Sequence, residues 1–285
     1  MRGEFVDLGG HRLYCYAAGT RGAGAPVVLV HGAFTSSHLW RETVPRLPKG
    51  HRVLVLDLLG HGRSDLPPDA AYDTAAHADR VIALLAALGV EPACLVGHGV
   101  GAAIVADVAH RAPARVAGLV LANPCLLAGP DTGATAAPRA LRRLAALVPL
   151  WRALPPAWLA STLHTRLLRG YANRTFGSHA LDVYLKPYRS ETGRAVACRQ
   201  LRALASPTAC IRLADRAIAV PTAVLLGAND PFVARRGDPL RATLPGSVAG
   251  PVAIEPVADI GHAIPEEAPE RLAAAVADLL TLPPA

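Results

Sequence analysis

An apolar run, Pro92-Ala93-Cys94-Leu95-Val96, passes through Gly97-His98-Gly99-Val100-Gly101 into a helical stretch that continues to Ala109. Glycine lets a backbone turn sharply, and lets two elements approach closely, where any side chain would intrude. Three glycines in five residues therefore mark a tight turn between a strand and a helix. Such a turn thrusts its middle side chain outward, and Ser, Asp or Cys is expected there because each can act as a nucleophile. Here the middle residue is Gly99, which offers neither hydroxyl, thiol nor carboxylate.

The rest of the chain supplies the sheet that such a turn needs. Glu4–Leu8 and Arg12–Ala17 alternate around Gly9-Gly10, the pattern of a β-hairpin. Pro26–Val30, Arg52–Leu56, Ala93–Val96 and Val116–Leu121 are short apolar runs suited to strands buried on both faces. His38–Leu47 has helical spacing. Asp73–Leu88 is a clearer amphipathic helix, with Val81, Leu84, Leu85 and Leu88 on one stripe and Gly89 as its stop. From about Leu126 to Ala219 the alternation gives way to helical, proline-punctuated, Arg-rich sequence, including Arg139–Val148, Ala157–Arg169 and Glu191–Leu204. It resumes with a strand at Pro221–Leu226, a helix at Arg235–Thr243, a strand at Val252–Pro256 and a final helix at Pro265–Leu280. This order predicts an α/β fold, a mostly parallel sheet of eight strands with helices on both faces. The core would span 1–125 and 220–285, and residues 126–219 would form an inserted helical cap.

Composition narrows the function classes. With 285 residues, 52% of them hydrophobic and 18% charged, the chain can bury a large core. The net charge of +7 permits an anionic partner, but no Lys/Arg run or zinc-finger spacing points to nucleic acid. No run approaches the ~20 apolar residues of a membrane span, and the N-terminus has no signal-peptide core. Five scattered cysteines, one inside an apolar strand, suggest a reduced, cytoplasmic protein. The partner expected is a small molecule, with no nucleic acid, no membrane and no cofactor, and the protein is a monomer or homodimer. No His/Cys/Asp cluster has the spacing of a metal site.

Four segments fall where an open α/β sheet binds ligands, at the ends of its strands. They are Val30–Trp40, Asp57–Asp65, the glycine turn, and a pair at the chain's end, Leu226-Gly227-Ala228-Asn229-Asp230-Pro231 with Asp259-Ile260-Gly261-His262-Ala263-Ile264-Pro265. In order and spacing these resemble the α/β-hydrolase superfamily. The nearest likeness is to the capped branch that contains haloalkane dehalogenases, epoxide hydrolases and C–C-bond hydrolases. The resemblance implies that His262 is a base oriented by Asp230, and that the backbone N–H groups of Ala33 and Val100 form an oxyanion hole. It makes Gly99 a vacated nucleophile position, and Phe34, Trp40 and Cys125 candidates to line the pocket.

Without a nucleophile on the turn, acyl-enzyme and alkyl-enzyme chemistry are excluded unless another residue substitutes. Three readings stand. In the first, His262 abstracts a proton and the oxyanion hole holds an enolate or alkoxide, promoting cyclisation, elimination, C–C or C–O rearrangement, or isomerisation of a small carbonyl metabolite. In the second, His262 activates water directly. In the third, the protein binds without catalysing, since Gly99 relieves strain that a side chain would suffer there. His98 is expected to pack beneath the turn. His31 and His61 are expected to anchor loops, and Asp57 to tie its neighbouring glycine turn. Cys125 is a remote candidate for a displaced nucleophile.

Overall fold

The computed structural model describes residues 3–19, 24–127, 139–206, 211–212, 218–232 and 252–282. The hairpin forms as expected, β1 (Gly3–Asp7) against β2 (Arg12–Gly19), with Gly9 and Gly10 both at positive φ. The following strands are β3 (Val27–Val30), β4 (Arg52–Leu56), β5 (Ala93–His98), β6 (Val116–Ala122), β7 (Leu126–Leu127), β8 (Ile211–Arg212), β9 (Thr222–Gly227) and β10 (Val252–Val257). Eight of them make one sheet in the order β1-β2-β4-β3-β5-β6-β9-β10, parallel from β4 to β10. Only the hairpin joins antiparallel, through β2 and β4.

β3, β5 and β9 are buried at every position, as strands covered on both faces must be. Alternation along β3 divides the core in two: Val27 and Leu29 face one cluster, Val28 and Val30 the other. The second cluster contains α1 (Thr74–Leu88) and α2 (Val100–Arg111). Asp73 caps α1 by accepting the Ala76 N–H, and Gly89 ends it in the left-handed region. The chain winds outward from β3 to β4, then returns across β3 to β5. The C-terminal ends of β3 and β5 therefore flank a topological switch, where sheets of this kind leave a crevice.

Between β6 and β9 lie α3 (Arg139–Ala146), α4 (Val148–Ala153), α5 (Pro156–Leu167), α6 (Arg174–Tyr184) and α7 (Glu191–Ala205). Expected as helix alone, this region also carries a strand on each side, β7 paired in parallel with β8. Its helix α6 has no counterpart in the sequence reading, because its polar and glycine residues blur the apolar stripe. The helical spacing at 38–47 yields only two 3-10 turns, Ser37–Trp40 and Val44–Arg46, the second holding Pro45, which has no N–H to continue a helix. Pro269 likewise divides the expected final helix into α8 (Ile264–Glu267) and α9 (Pro269–Leu280). The helix expected at Arg235–Thr243 lies outside the described residues. No described helix is long and apolar enough to cross a membrane.

Candidate active site

The three glycines of the turn have different reasons to be there. A Cβ on Gly97 would lie 2.5 Å from the Ala102 Cα, and one on Gly101 would lie 2.4 Å from the carbonyl oxygens of Val30 and His31. Both glycines let α2 press against the ends of β3 and β5. Gly99 meets no such obstacle. It adopts φ 57° and ψ −116°, and among the described residues a Cβ there would meet only His262, Nε2 at 3.3 Å and Cε1 at 3.7 Å. Its N–H donates to Ala122 O at 3.0 Å, and its carbonyl accepts the Cys125 N–H at 3.0 Å, fixing the turn's tip to the segment after β6.

The structure brings His262 and Asp230 together. Nδ1 of His262 lies 2.7 Å from Oδ2 of Asp230, whose side chain is fully buried. A carboxylate can only accept, so Nδ1 carries the proton and Nε2 presents its lone pair toward Gly99. The other Asp230 oxygen accepts the Phe232 N–H at 2.7 Å, and the Phe232 ring stands edge-on to the imidazole at 5.1 Å. The His262 side chain is 25% exposed, and Nε2 has no hydrogen-bond partner among the described residues. An imidazole held this way, with its second nitrogen open, has the geometry that proton abstraction requires.

The backbone around His262 is clamped by residues whose part the sequence reading missed. Asn123 donates through Nδ2 to the carbonyls of Gly261 and His262, both at 2.9 Å, and accepts the Gly227 N–H at 2.8 Å. The available signal is local: an Asn-Pro pair directly after a strand, the Asn at φ 43°, a conformation that Asn tolerates better than most residues. His98 packs beneath the turn as expected, and also donates from Nε2 to the His262 carbonyl at 2.8 Å. The His262 N–H donates to Gly170 O at 2.5 Å, reaching the helical region between β6 and β9. Glu267 extends that link by accepting from the N–H groups of Gly261, Ala172 and Asn173 at 2.8 to 3.1 Å. Glu266 accepts the phenolic hydrogens of Tyr171 and Tyr184 at 2.6 and 2.5 Å and also pairs with Arg41.

Ala33 follows β3, and Val100 opens α2. Neither N–H has an acceptor among the described residues. For Val100 this follows from its place in the first turn of a helix, where amides point out along the positive end of the helix dipole. Phe34 is fully buried at φ 57°, and its ring meets the edge of Tyr188 at 5.6 Å. Trp40 is fully buried, and its indole N–H has no partner among the described residues. Cys125 is disulfide-bonded, so it holds no thiol to serve as a displaced nucleophile. The expectation of a wholly reduced set is corrected by the same bond, while Cys15, Cys94 and Cys198 are free.

The remaining polar residues hold loops. His31 joins the Gly32 carbonyl through Nδ1 at 2.8 Å and accepts the Leu58 N–H through Nε2 at 2.9 Å. Burial pushes its imidazole down to about 4. Burial, helped by nearby His31, takes His61 to about 3. Asp57 accepts the N–H of Ser37 at 2.5 Å and of Arg63 at 2.9 Å, and a Cβ on Gly62 would strike its carboxylate at 2.3 Å. These groups are neutral or fully engaged, and none is placed as a base. No His, Cys, Asp and Glu grouping among the described residues could hold a metal ion.

Comparison with known proteins identifies the family of the fold. Over 114 residues the chain is 39% identical to a 2-hydroxymuconate semialdehyde hydrolase from Pseudomonas sp. (strain CF600), a match covering 39% of this chain and 40% of that protein. A haloalkane dehalogenase from Agrobacterium fabrum is 39% identical over 105 residues, covering 37% of this chain and 34% of the relative. The matched stretches thus span less than half of these relatives. Across almost the full length, an α/β-hydrolase fold protein from Burkholderia ambifaria superposes with a TM-score of 0.79 at 26% identity, covering 96% of this chain and 97% of that one. Residues 25–269 match the family described as alpha/beta hydrolase fold, and the chain belongs to that family.

Proposed function

We propose that this protein is an acid–base catalyst that forms no covalent intermediate. His262, oriented by Asp230, takes a proton from a carbon or hydroxyl acid of a small, largely apolar carbonyl compound. The amides of Ala33 and Val100 hold the resulting enolate or alkoxide, and the imidazolium returns the proton to the rearranged product or to a leaving group. The reaction class is cyclisation, elimination, C–C or C–O rearrangement, or isomerisation. Residues 126–219 act as a cap over the site, with Phe34, Trp40 and the Cys125 segment at its margin.

One observation carries this reading. A Cβ on Gly99 would lie 3.3 Å from His262 Nε2, so the absent side chain leaves its space directly before an oriented base. Removing a nucleophile while keeping a buried Asp–His pair has a chemical rationale if a substrate atom occupies that space. A carbonyl substrate also suits a chain whose relatives include a semialdehyde hydrolase.

The test incubates the protein in D2O with a panel of enolisable ketones and aldehydes and follows loss of the α-proton signal by NMR. Wild-type exchange should exceed that of folded His262→Ala by about 10²-fold or more, the usual worth of a positioned base. Equal exchange in the two proteins overturns the proposal. Hydrolysis of a separate panel of carboxylic esters in H2(18)O, with label in the released acid, alcohol as the leaving group and no enzyme adduct, would instead assign His262 to direct activation of water.

A further inference from the structure

We propose that the outer face of the helices between residues 139 and 205 docks on an anionic lipid surface. Charge in this chain is strongly segregated. Residues 139–205 contain twelve Arg and Lys against two Asp and Glu, a formal +10, while the remainder holds seventeen against twenty, a formal −3. Averaged over the whole chain, +7 says little about partners. Confined to one set of helices, +10 describes a cationic face.

Arg189 and Arg194 pair with the two acidic residues of this stretch, Asp182 and Glu191, but five other arginines are uncommitted. Arg142 and Arg143 on α3, Arg152 on α4, and Arg199 and Arg202 on α7 are all exposed, and none has an ion-pair partner among the described residues. They belong to one region, because α3 and α4 both pack along α7. Arg152 and Arg202 also act together on the Cys198 thiol. The same stretch exposes apolar side chains that a water-facing helix would avoid: Leu147 at 46%, Leu150 at 50% and Trp158 at 60%. The chain's other two tryptophans, Trp40 and Trp151, are buried.

Arginine interleaved with exposed leucine and tryptophan fits a bilayer interface, where the cations meet headgroup phosphates and the apolar groups enter the acyl boundary. A polynucleotide would neutralise the arginines but leave three apolar side chains in water. No described helix is long and apolar enough to span a membrane, and the contact proposed is peripheral. This departs from the sequence expectation of no membrane partner, which rested on the lack of an apolar run long enough to span a bilayer. The inference is independent of the chemistry at His262.

The full-length protein is sedimented with vesicles of phosphatidylcholine alone and of phosphatidylcholine mixed with phosphatidylglycerol, while tryptophan emission is recorded. Binding to the anionic vesicles alone is expected, weakening with salt, with a blue shift that brominated lipid quenches and that Trp158→Ala abolishes. Each cation near an anionic surface is worth about fivefold in partitioning, so Arg142→Glu with Arg143→Glu should weaken binding about 25-fold or more. Both sites are exposed, and circular dichroism checks that the double variant remains folded. Equal affinity for both vesicle types, or no sedimentation with either, overturns the proposal. Tighter binding to duplex DNA with unshifted tryptophan emission overturns it in favour of a polynucleotide.

Discussion

The glycine turn at 97–101 and the loop carrying His262 approach within 3.3 Å, measured from a Cβ on Gly99, yet opposite means hold them in place. The turn is shaped by missing atoms: α2 can press on the ends of β3 and β5 because Gly97 and Gly101 have no side chains. The histidine loop is shaped by polar contacts gathered from Asn123, His98, Gly170, Asp230 and Glu267. A steric device relies on residues adjacent in sequence and is indifferent to pH. A polar clamp draws on residues far apart, and it fails when one of its members must take up a proton.

Acid should separate the two regions most widely. His31, His61, His77 and His98 are buried with pKa values lowered by desolvation, His31 to about 4 and His61 to about 3. Each stays neutral in the folded protein and takes a proton on unfolding once the pH drops below about 6.5. Their contribution is therefore complete above 6.5 and is lost as the pH falls towards the folded values. One such histidine costs about 1.4 kcal/mol per pH unit in that window, and four together on the order of 8 kcal/mol at pH 5. Urea unfolding at pH 7 and pH 5 should show this loss. His98→Gln, which keeps a donor near the His262 carbonyl, should reduce the slope by about a quarter. A pH-independent midpoint would mean that these four buried histidines are not held neutral in the folded protein.

The steric half breaks by adding one methyl group. In Gly101→Ala the new Cβ would sit 2.4 Å from two backbone oxygens, those of Val30 and His31, and neither can retreat without disturbing β3. Overpacking against rigid backbone should cost about 3 kcal/mol or more, read as a fall in the unfolding midpoint. A loss under about 1 kcal/mol would show that α2 and β3 are not held by that close approach.

The same contrast explains what the sequence disclosed. The hairpin, the alternating strands, α1 with its caps and the glycine turn all rest on local periodicity or local backbone demand, and they appear where expected. Asp230 and His262 were singled out through the family resemblance, which matches motifs by their order along the chain and their place after strands. Asn123 was missed, since the Asn-Pro pair marks only a local turn, while its three hydrogen bonds reach Gly227, Gly261 and His262, far away in sequence. The link through Glu266 and Glu267 to Tyr171, Tyr184, Ala172 and Asn173 was hidden for the same reason. The disulfide at Cys125 is again a long-range fact that scattered cysteines cannot reveal. Proline breaks were underweighted rather than invisible: Pro45 and Pro269 each stand inside a stretch whose apolar spacing alone suggests helix.

The smallest expected effect falls at the position where the two regions meet. Gly99→Ser places a side chain at φ 57°, where a non-glycine residue costs about 1–2 kcal/mol, but among the described residues its Cβ has only the His262 imidazole for a neighbour, at 3.3 Å. The fold should therefore survive with a modest drop in the unfolding midpoint, in contrast to Gly101→Ala. The introduced hydroxyl would enter the space before Nε2, with the Val100 amide beside it at the start of α2. Those are the elements of an activated serine, and slow hydrolysis of nitrophenyl esters with a stoichiometric burst should appear. Labelling by an organophosphonate at the new hydroxyl, absent in the same variant carrying His262→Ala, would tie that activity to the pair. A folded Gly99→Ser protein with neither burst nor label would show that steric and polar halves do not converge on one reacting atom, and the proposed base would lose its geometric support.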